Sequence, residues 1–258
     1  MGFFLLRMNR INLIKCTNVA LAANGGNMWR FFYAIYYVLG TLFFNFLGRD
    51  FFNFNYMSEI NFYNIDNIEF MKSKPDNCYD LAIVDIPYGL GDKLTNGGTW
   101  ASKYKKGDAD WDKLPPPEYW EQLFRVSKNQ IIWGGNYVEL PPNRCFIIWD
   151  KVALMPTMAD SEYAWTSFDR NAKTFRHVRN TSEKRIHITQ KPIKLYRWIL
   201  QTFAASGYKI LDTHGGSGSI AIACHDEKFD LDICEINKNF YDDSKKRFDY
   251  HKRQLQLF

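Results

Sequence analysis

The chain has 258 residues, 46% hydrophobic and 24% charged, which is enough apolar material for one large domain and excludes a disordered tail. Its five cysteines (Cys16, Cys78, Cys145, Cys224, Cys234) form no CxxC pair, so no zinc site or disulfide scaffold is indicated and a reducing, cytoplasmic setting is expected. The net charge of +5 sits mostly in the first 56 residues, with five basic side chains against one acid; the rest carries 28 against 27, so any nucleic-acid site must be a local patch.

Residues 1–56 stand apart in composition, holding ten of the 21 phenylalanines. Phe31–Leu47 is rich in Phe, Tyr and Leu, but its 17 residues are interrupted by Gly40 and Asn45, short of the roughly 20 that a bilayer span needs. Arg7, Arg10 and Lys15 break up the place where a secretory signal would put its apolar run. A weak membrane anchor, an apolar helix packed on the body, and translated sequence upstream of the true start remain as readings. The last is preferred, because Met57 opens a well-patterned segment and the extension carries no motif the body needs. The expected division is therefore 1–56 and 57–258.

From Ile60 the chain alternates. Strand-like apolar runs fall at Ile60–Ile65, Tyr79–Asp85, Gln130–Trp133, Cys145–Trp149, Tyr163–Phe168, Lys209–Asp212 and Leu231–Ile236. Helical spacing falls at Ile68–Met71, Glu118–Val126, Pro192–Ala205, Ile220–His225 and Asn239–Arg253, the second preceded by three prolines that suit a helix start. Strands separated by helices predict an α/β fold: a mostly parallel sheet with helices on both faces. Ligands in such sheets bind at the carboxyl ends of strands.

Three strand or helix ends carry chemistry. The run Tyr79–Val84 ends in Asp85-Ile86-Pro87-Tyr88-Gly89. Pro87 fixes its own φ and holds Ile86 extended, so the Asp85 carboxylate and the Ile86 carbonyl can converge on one amino group, with Tyr88 offered to a flat ring. The competing reading is an ordinary strand and turn. The run Ile210–Asp212 enters Thr213-His214-Gly215-Gly216-Ser217-Gly218-Ser219 and then a small-residue helix, where glycines admit a ligand to the backbone and a helix start offers free N–H groups. Glu235, 23 residues beyond Asp212, ends the next strand, where an acid can bind ribose hydroxyls. The third, Thr189-Gln190-Lys191-Pro192, decides nothing alone.

In this order the three motifs, together with Gln130-Ile131-Ile132-Trp133-Gly134-Gly135-Asn136 and Ile148-Trp149-Asp150-Lys151 followed by Glu162, resemble the permuted β-class of amino-group DNA methyltransferases. The likeness runs from about Ile60 to Arg253 and is strongest to the small adenine methyltransferases of phages and mobile elements. The resemblance implies a Rossmann-like methyltransferase sheet with permuted motif order, S-adenosylmethionine as cofactor, and no metal. It implies catalytic roles for Asp85, Ile86, Pro87 and Tyr88, with Ile86 replacing the first proline of the family's Asp-Pro-Pro-Tyr. Asp212, Gly215, Gly216, Ser217, Gly218 and Ser219 match the cofactor loop, Glu235 the ribose-binding acid, Asp66 an acid at the cofactor's adenine, and Lys191 and Pro192 the segment beside its methionine moiety. His214 stands where many members have phenylalanine and is expected to pack.

The implied reaction is transfer of a methyl to the N6 amino group of an adenine flipped out of duplex DNA, with Tyr88 stacked on the base. N4-cytosine methylation is the nearest alternative, although those enzymes more often carry serine at the position of Asp85. An inactive DNA- or clamp-binding module is a second. DNA contacts are expected from Lys103–Lys106 within the long loop Gly89–Leu114, and from Arg170, Lys173, Arg176, His177, Arg179, Lys184 and Arg185 in a target-recognition region near 151–186; solvated surface loops are the competing reading. The terminus Gln254-Leu255-Gln256-Leu257-Phe258 is similar to the peptide with which bacterial proteins dock on the replication sliding clamp. A homodimer is the remaining partner expectation.

Overall fold

Alternate residues of a buried strand must satisfy two opposite apolar faces, and this sheet does so. The computed structural model describes residues 58–91, 112–152, 159–178, 186–187 and 190–255, all within the second of two units, Met57–Phe258. Strand β2 (Leu81–Asp85) sends Leu81 and Ile83 into one core and Ala82 and Val84 into the other. The first core is closed by α3 (Ile193–Phe203), α4 (Ser219–Glu227) and α5 (Lys238–Leu255); the second by α1 (Asn67–Lys72) and α2 (Pro117–Val126). The predicted α/β architecture, with helices on both faces, is what the chain adopts.

The eight strands run in the order β1-β8-β7-β2-β3-β5-β4-β6, where β1 is Ile60–Tyr63, β3 Gln130–Trp133, β4 Phe146–Asp150, β5 Ser161–Thr166, β6 Lys173–Arg176, β7 Lys209–Asp212 and β8 Asp230–Cys234. The pairs along β1, β8, β7, β2 and β3 are parallel; β5 is antiparallel to both β3 and β4. Two departures from the sequence reading lie at this end. The fifth strand begins earlier than the apolar run suggested, with Ser161 pairing Asp150, and β6 was not foreseen at all. Its sequence Lys-Thr-Phe-Arg has one half-buried side chain, so no apolar pattern marks it; pairing with β4 makes it the sheet edge.

Helix boundaries follow local chemistry. Asp66 caps α1, its Oδ1 accepting N–H bonds from Ile68 at 2.9 Å and Glu69 at 3.0 Å. α2 begins on proline and buries Tyr119, Leu123 and Val126, one face of the helix. Trp133 and Trp149, both fully buried, anchor β3 and β4, and truncating either to alanine is expected to cost about 3–5 kcal/mol. No helix among the described residues is long and apolar enough to cross a membrane.

The sheet order fixes the site. β2 and β7 are hydrogen-bonded neighbours, Leu81 opposite Ile210, although far apart in sequence. The chain departs from β2 towards β3 on one side and returns through β7 on the other, which creates a crevice beyond the carboxyl ends of these strands.

Candidate active site

Asp85 closes β2 and faces that crevice. A cavity of about 210 Å³ is lined by Asp85, Ile86, Pro87 and Tyr88 on one side and by Gly215, Gly216, Ser217, Ser219 and Glu235 on the other. The residues expected to do chemistry and most of those expected to hold a cofactor therefore share one space. Lys191 lines it too, from the segment entering α3.

The β2 side is built of charge. Lys191 is only 2% exposed, and its Nζ lies 2.5 Å from Asp85 Oδ1, 3.2 Å from Glu162 Oε2 and 3.2 Å from the Tyr88 hydroxyl. Glu162, on β5, is held on its other oxygen by Lys151 at 2.8 Å. Burial works to discharge the Lys191 ammonium, and the Asp85 and Glu162 carboxylates overcome it, holding the amine above its usual range. Burial also pushes Glu162 up, but Lys191 and Lys151 prevail and bring it to about 2. Asp85 differs: burial outweighs the pull of Lys191, and its pKa is raised. Lys191, expected beside the methionine moiety, thus spends its charge on two carboxylates.

The aromatic ring of Tyr88 is already engaged. Its hydroxyl donates to Asp85 Oδ1 at 3.0 Å, and burial keeps it protonated. Its ring stacks on Tyr137 at 4.9 Å with 20° between planes. Gly134, just after β3, makes room: it has φ of 78°, and a side chain there would clash with the Tyr88 ring. The base-stacking role expected of Tyr88 therefore competes with Tyr137 for that ring. Asp112, 5% exposed, fixes the loop that follows. Its Oδ1 accepts the N–H groups of Tyr88 (2.7 Å) and Gly89 (3.0 Å), and its Oδ2 those of Leu90 (2.6 Å) and Gly91 (2.8 Å). Nothing in the sequence pattern singled out Asp112 or Tyr137.

The β7–β8 side is built of backbone. Glu235 Oε2 accepts the Gly216 N–H and Oε1 the Asn237 N–H, both at 2.8 Å, so each oxygen keeps acceptor capacity. Burial raises this carboxyl. Gly216 has φ of 47°, and the nearest atom to a side chain there is 3.8 Å away, so its backbone stands open to the cavity. Gly215 is tight by contrast, where a side chain would meet Ile233 at 2.9 Å. Ile236, 67% exposed, and Phe240 supply apolar wall beside the carboxylate. Asn67 also lines the cavity; its amide donates to the Thr213 carbonyl at 3.3 Å and contacts His214 Nε2 at 3.1 Å.

Four expected site residues do not line the cavity. Asp66 caps α1, Pro192 is the residue before α3, and Gly218 is the left-handed residue before α4. Asp212 is buried behind the loop and accepts the His214 N–H at 2.9 Å; burial raises its carboxyl to about 8. His214 does pack, edge-on to Tyr119, and also lines the cavity, with burial lowering it to about 4 so that it is neutral. Among the described residues no group of His, Cys, Asp and Glu is arranged to hold a metal.

Of the expected DNA-contacting residues, Arg170 lies over Phe203 at 4.0 Å, covering core, and Arg176 pairs with Asp150 at 2.9 Å. Lys173 is exposed on β6. Lys103–Lys106, Arg179, Lys184 and Arg185 lie outside the described residues, as do the Phe-rich extension and 256–258 of the terminal peptide.

A family model described as DNA methylase matches residues 40–246, well over half of the chain and beginning inside the Phe-rich extension. Among solved structures, the cytosine-N4-specific PvuII DNA methyltransferase is similar with a TM-score of 0.54 and 14% identity, over 74% of this chain and 87% of its own. The M1.HpyAVI–SAM complex is similar with a TM-score of 0.49 and 19% identity, over 73% and 98%. No curated protein matches the sequence.

Proposed function

The chain belongs to the DNA methylase family of amino-group methyltransferases, and from that premise we propose that it methylates the N6 amino group of adenine in duplex DNA, with S-adenosylmethionine as donor and the permuted β arrangement of motifs. One observation carries the reading: Asp85 at the end of β2 and the Gly216–Glu235 pair beyond the ends of β7 and β8 open into a single cavity. The alternative with most support is N4-cytosine methylation; the solved PvuII relative is of that type, whereas an aspartate rather than a serine at position 85 favours adenine.

The donor set fits the cofactor. A carboxylate with acceptor capacity on both oxygens suits ribose hydroxyls, apolar Ile236 and Phe240 suit a purine, and the open backbone at Gly216 admits close approach. When bound, S-adenosylmethionine would supply a sulfonium methyl open to attack by an amine, the C–S electron pair leaving with the thioether S-adenosylhomocysteine. The remaining work falls to the protein. An exocyclic amine is a poor nucleophile because its lone pair is conjugated into the ring. Asp85 and the Ile86 carbonyl each accept one of its hydrogens, which favours a pyramidal nitrogen with its lone pair directed at the donor side of the cavity. Asp85 then takes the surplus proton from that nitrogen and passes it to solvent, while Lys191 stays charged. Binding of both partners in one site provides orientation, which can contribute up to about 7–11 kcal/mol without covalent chemistry.

The flipped base reaches Asp85 past Tyr88, and its ring displaces Tyr137 or extends the stack from it. Residues 57–258 act as the methyltransferase domain, with the stretch near 151–186 and its exposed Lys173 towards DNA; the C-terminal peptide docks on a sliding clamp. Incubating the protein with a random duplex pool and methyl-labelled cofactor, followed by nucleoside analysis, tests the reading. N6-methyladenine is the expected product; N4-methylcytosine alone, or no labelled base, overturns it.

A further inference from the structure

Four charged side chains from four different segments form one chain of contacts that ends in the cavity wall: Lys151 after β4, Glu162 on β5, Lys191 before α3, and Asp85 ending β2. Their signs alternate, and the successive contacts are 2.8, 3.2 and 2.5 Å. Two buried lysines and two half-buried acids are costly unless each is paired, and apolar packing at the same positions would be at least as stable. The geometry at Asp85 shows what the charges do there. Both of its contacts, from Lys191 and from the Tyr88 hydroxyl, fall on Oδ1, and no described residue bonds Oδ2. An ammonium with three donors and nothing else to hold it would settle across both oxygens of a lone carboxylate. Glu162, with the Tyr88 hydroxyl as the third partner at 3.2 Å, prevents this by drawing Lys191 to one side.

We propose that Glu162 is a positioning residue for methyl transfer: it anchors Lys191 so that the ammonium binds Asp85 through Oδ1 alone and leaves Oδ2 for the target amino group. Glu162 touches no reacting atom; it acts through Lys191, and Lys151 holds Glu162 from behind. The inference rests on the methyltransferase reading for its purpose, but the geometry and the ionic coupling belong to the protein without substrate. The charged and titratable groups around Asp85 are Lys191, Glu162, Tyr88, Tyr196 from α3 and Asp212 from β7, with His187 beyond Lys191. Of these, Lys191 favours the ionised carboxylate and Glu162 opposes it.

The test compares Glu162→Gln with Lys191→Gln in the full chain. The first readout needs no substrate: titration of the Asp85 carboxyl by carbon-13 NMR, assigned with Asp85→Asn. Removing Glu162 takes away a like charge and frees Lys191 for Asp85, so the Asp85 titration moves down by about one pH unit; removing Lys191 moves it up by a similar amount. The second readout is kinetic: Glu162→Gln lowers kcat about a hundredfold at unchanged cofactor affinity, because Oδ2 is now occupied. Shifts in the same direction, or an unmoved Asp85 in Glu162→Gln, overturn the proposal. Should Glu162→Gln fail to fold, the upward shift in Lys191→Gln becomes the deciding result, and its absence overturns the proposal. A wild-type protein that methylates no DNA while the opposite shifts are seen overturns the functional reading and not the coupling.

Discussion

The two walls of the cavity are made by different means. The β2 wall, with Asp85, Lys191, Glu162 and Tyr88, is held by side-chain charge in a chain of contacts. The β7–β8 wall is held by backbone: amides of Gly216 and Asn237 orient Glu235, and tight packing at Gly215 sets the turn. Charge ties the first wall to the protonation of each pair; the backbone cradle demands particular residues in the turn, and the Glu235 carboxyl that it holds also titrates. One wall is thus assembled by charge and the other by backbone.

The largest effect that separates the walls is Asp85→Ala. It should cut methylation by more than about a thousandfold while cofactor affinity, read by calorimetry, stays within about twofold. Parallel loss of cofactor binding would show that the walls are not independent. Glu235→Ala should do the reverse, weakening cofactor affinity about ten- to a hundredfold with kcat at saturation little changed, because charged hydrogen bonds to the cofactor are lost and the reacting wall is untouched. Asp112→Ala leaves four backbone N–H groups without their acceptor. A stability loss of about 2–3 kcal/mol in urea denaturation is expected, together with a fall in kcat as the Tyr88 loop loosens.

The most diagnostic effect concerns pH. Asp212 has its carboxyl raised from 3.8 to about 8 in the folded protein, so the folded state retains a proton that the unfolded chain releases. Its contribution is fully present below pH 3.8 and is lost as pH rises through 8, at up to about 1.4 kcal/mol per pH unit. Asp212→Asn should flatten that decline in denaturation measured across the window. Glu162 has the opposite sign: lowered from 4.5 to about 2, it stabilises above pH 4.5 and the contribution is lost as pH falls through 2. A wild-type stability curve without a fall above pH 4 would contradict the Asp212 assignment.

Legibility in the sequence follows the same division. Runs such as Leu81–Val84 and Gln130–Trp133 were readable as strands because both faces are buried and the whole run is apolar or nearly so. β6 was not, since an edge strand with Lys173, Thr174 and Arg176 exposed leaves no pattern. Glu235 and the glycine turn were found because their spacing is local. Asp112 and the Glu162–Lys191 contact were not, because each joins segments distant in sequence and any surface acid looks the same in a string of letters. Asp66 looked like a ligand residue and is placed as a helix cap, a role its Asp-x-x-Glu setting also permitted.

The sequence by itself determined the layered α/β architecture, the acid that ends β2 and the glycine turn that follows β7, because apolar period and glycine placement are local properties of a chain. Only the tertiary structure decided that β2 and β7 lie side by side, that Tyr88 is stacked on Tyr137, and that a buried ammonium is shared between two acids. Coulomb pairing and ring stacking act through space, and their partners are chosen by how the sheet is assembled.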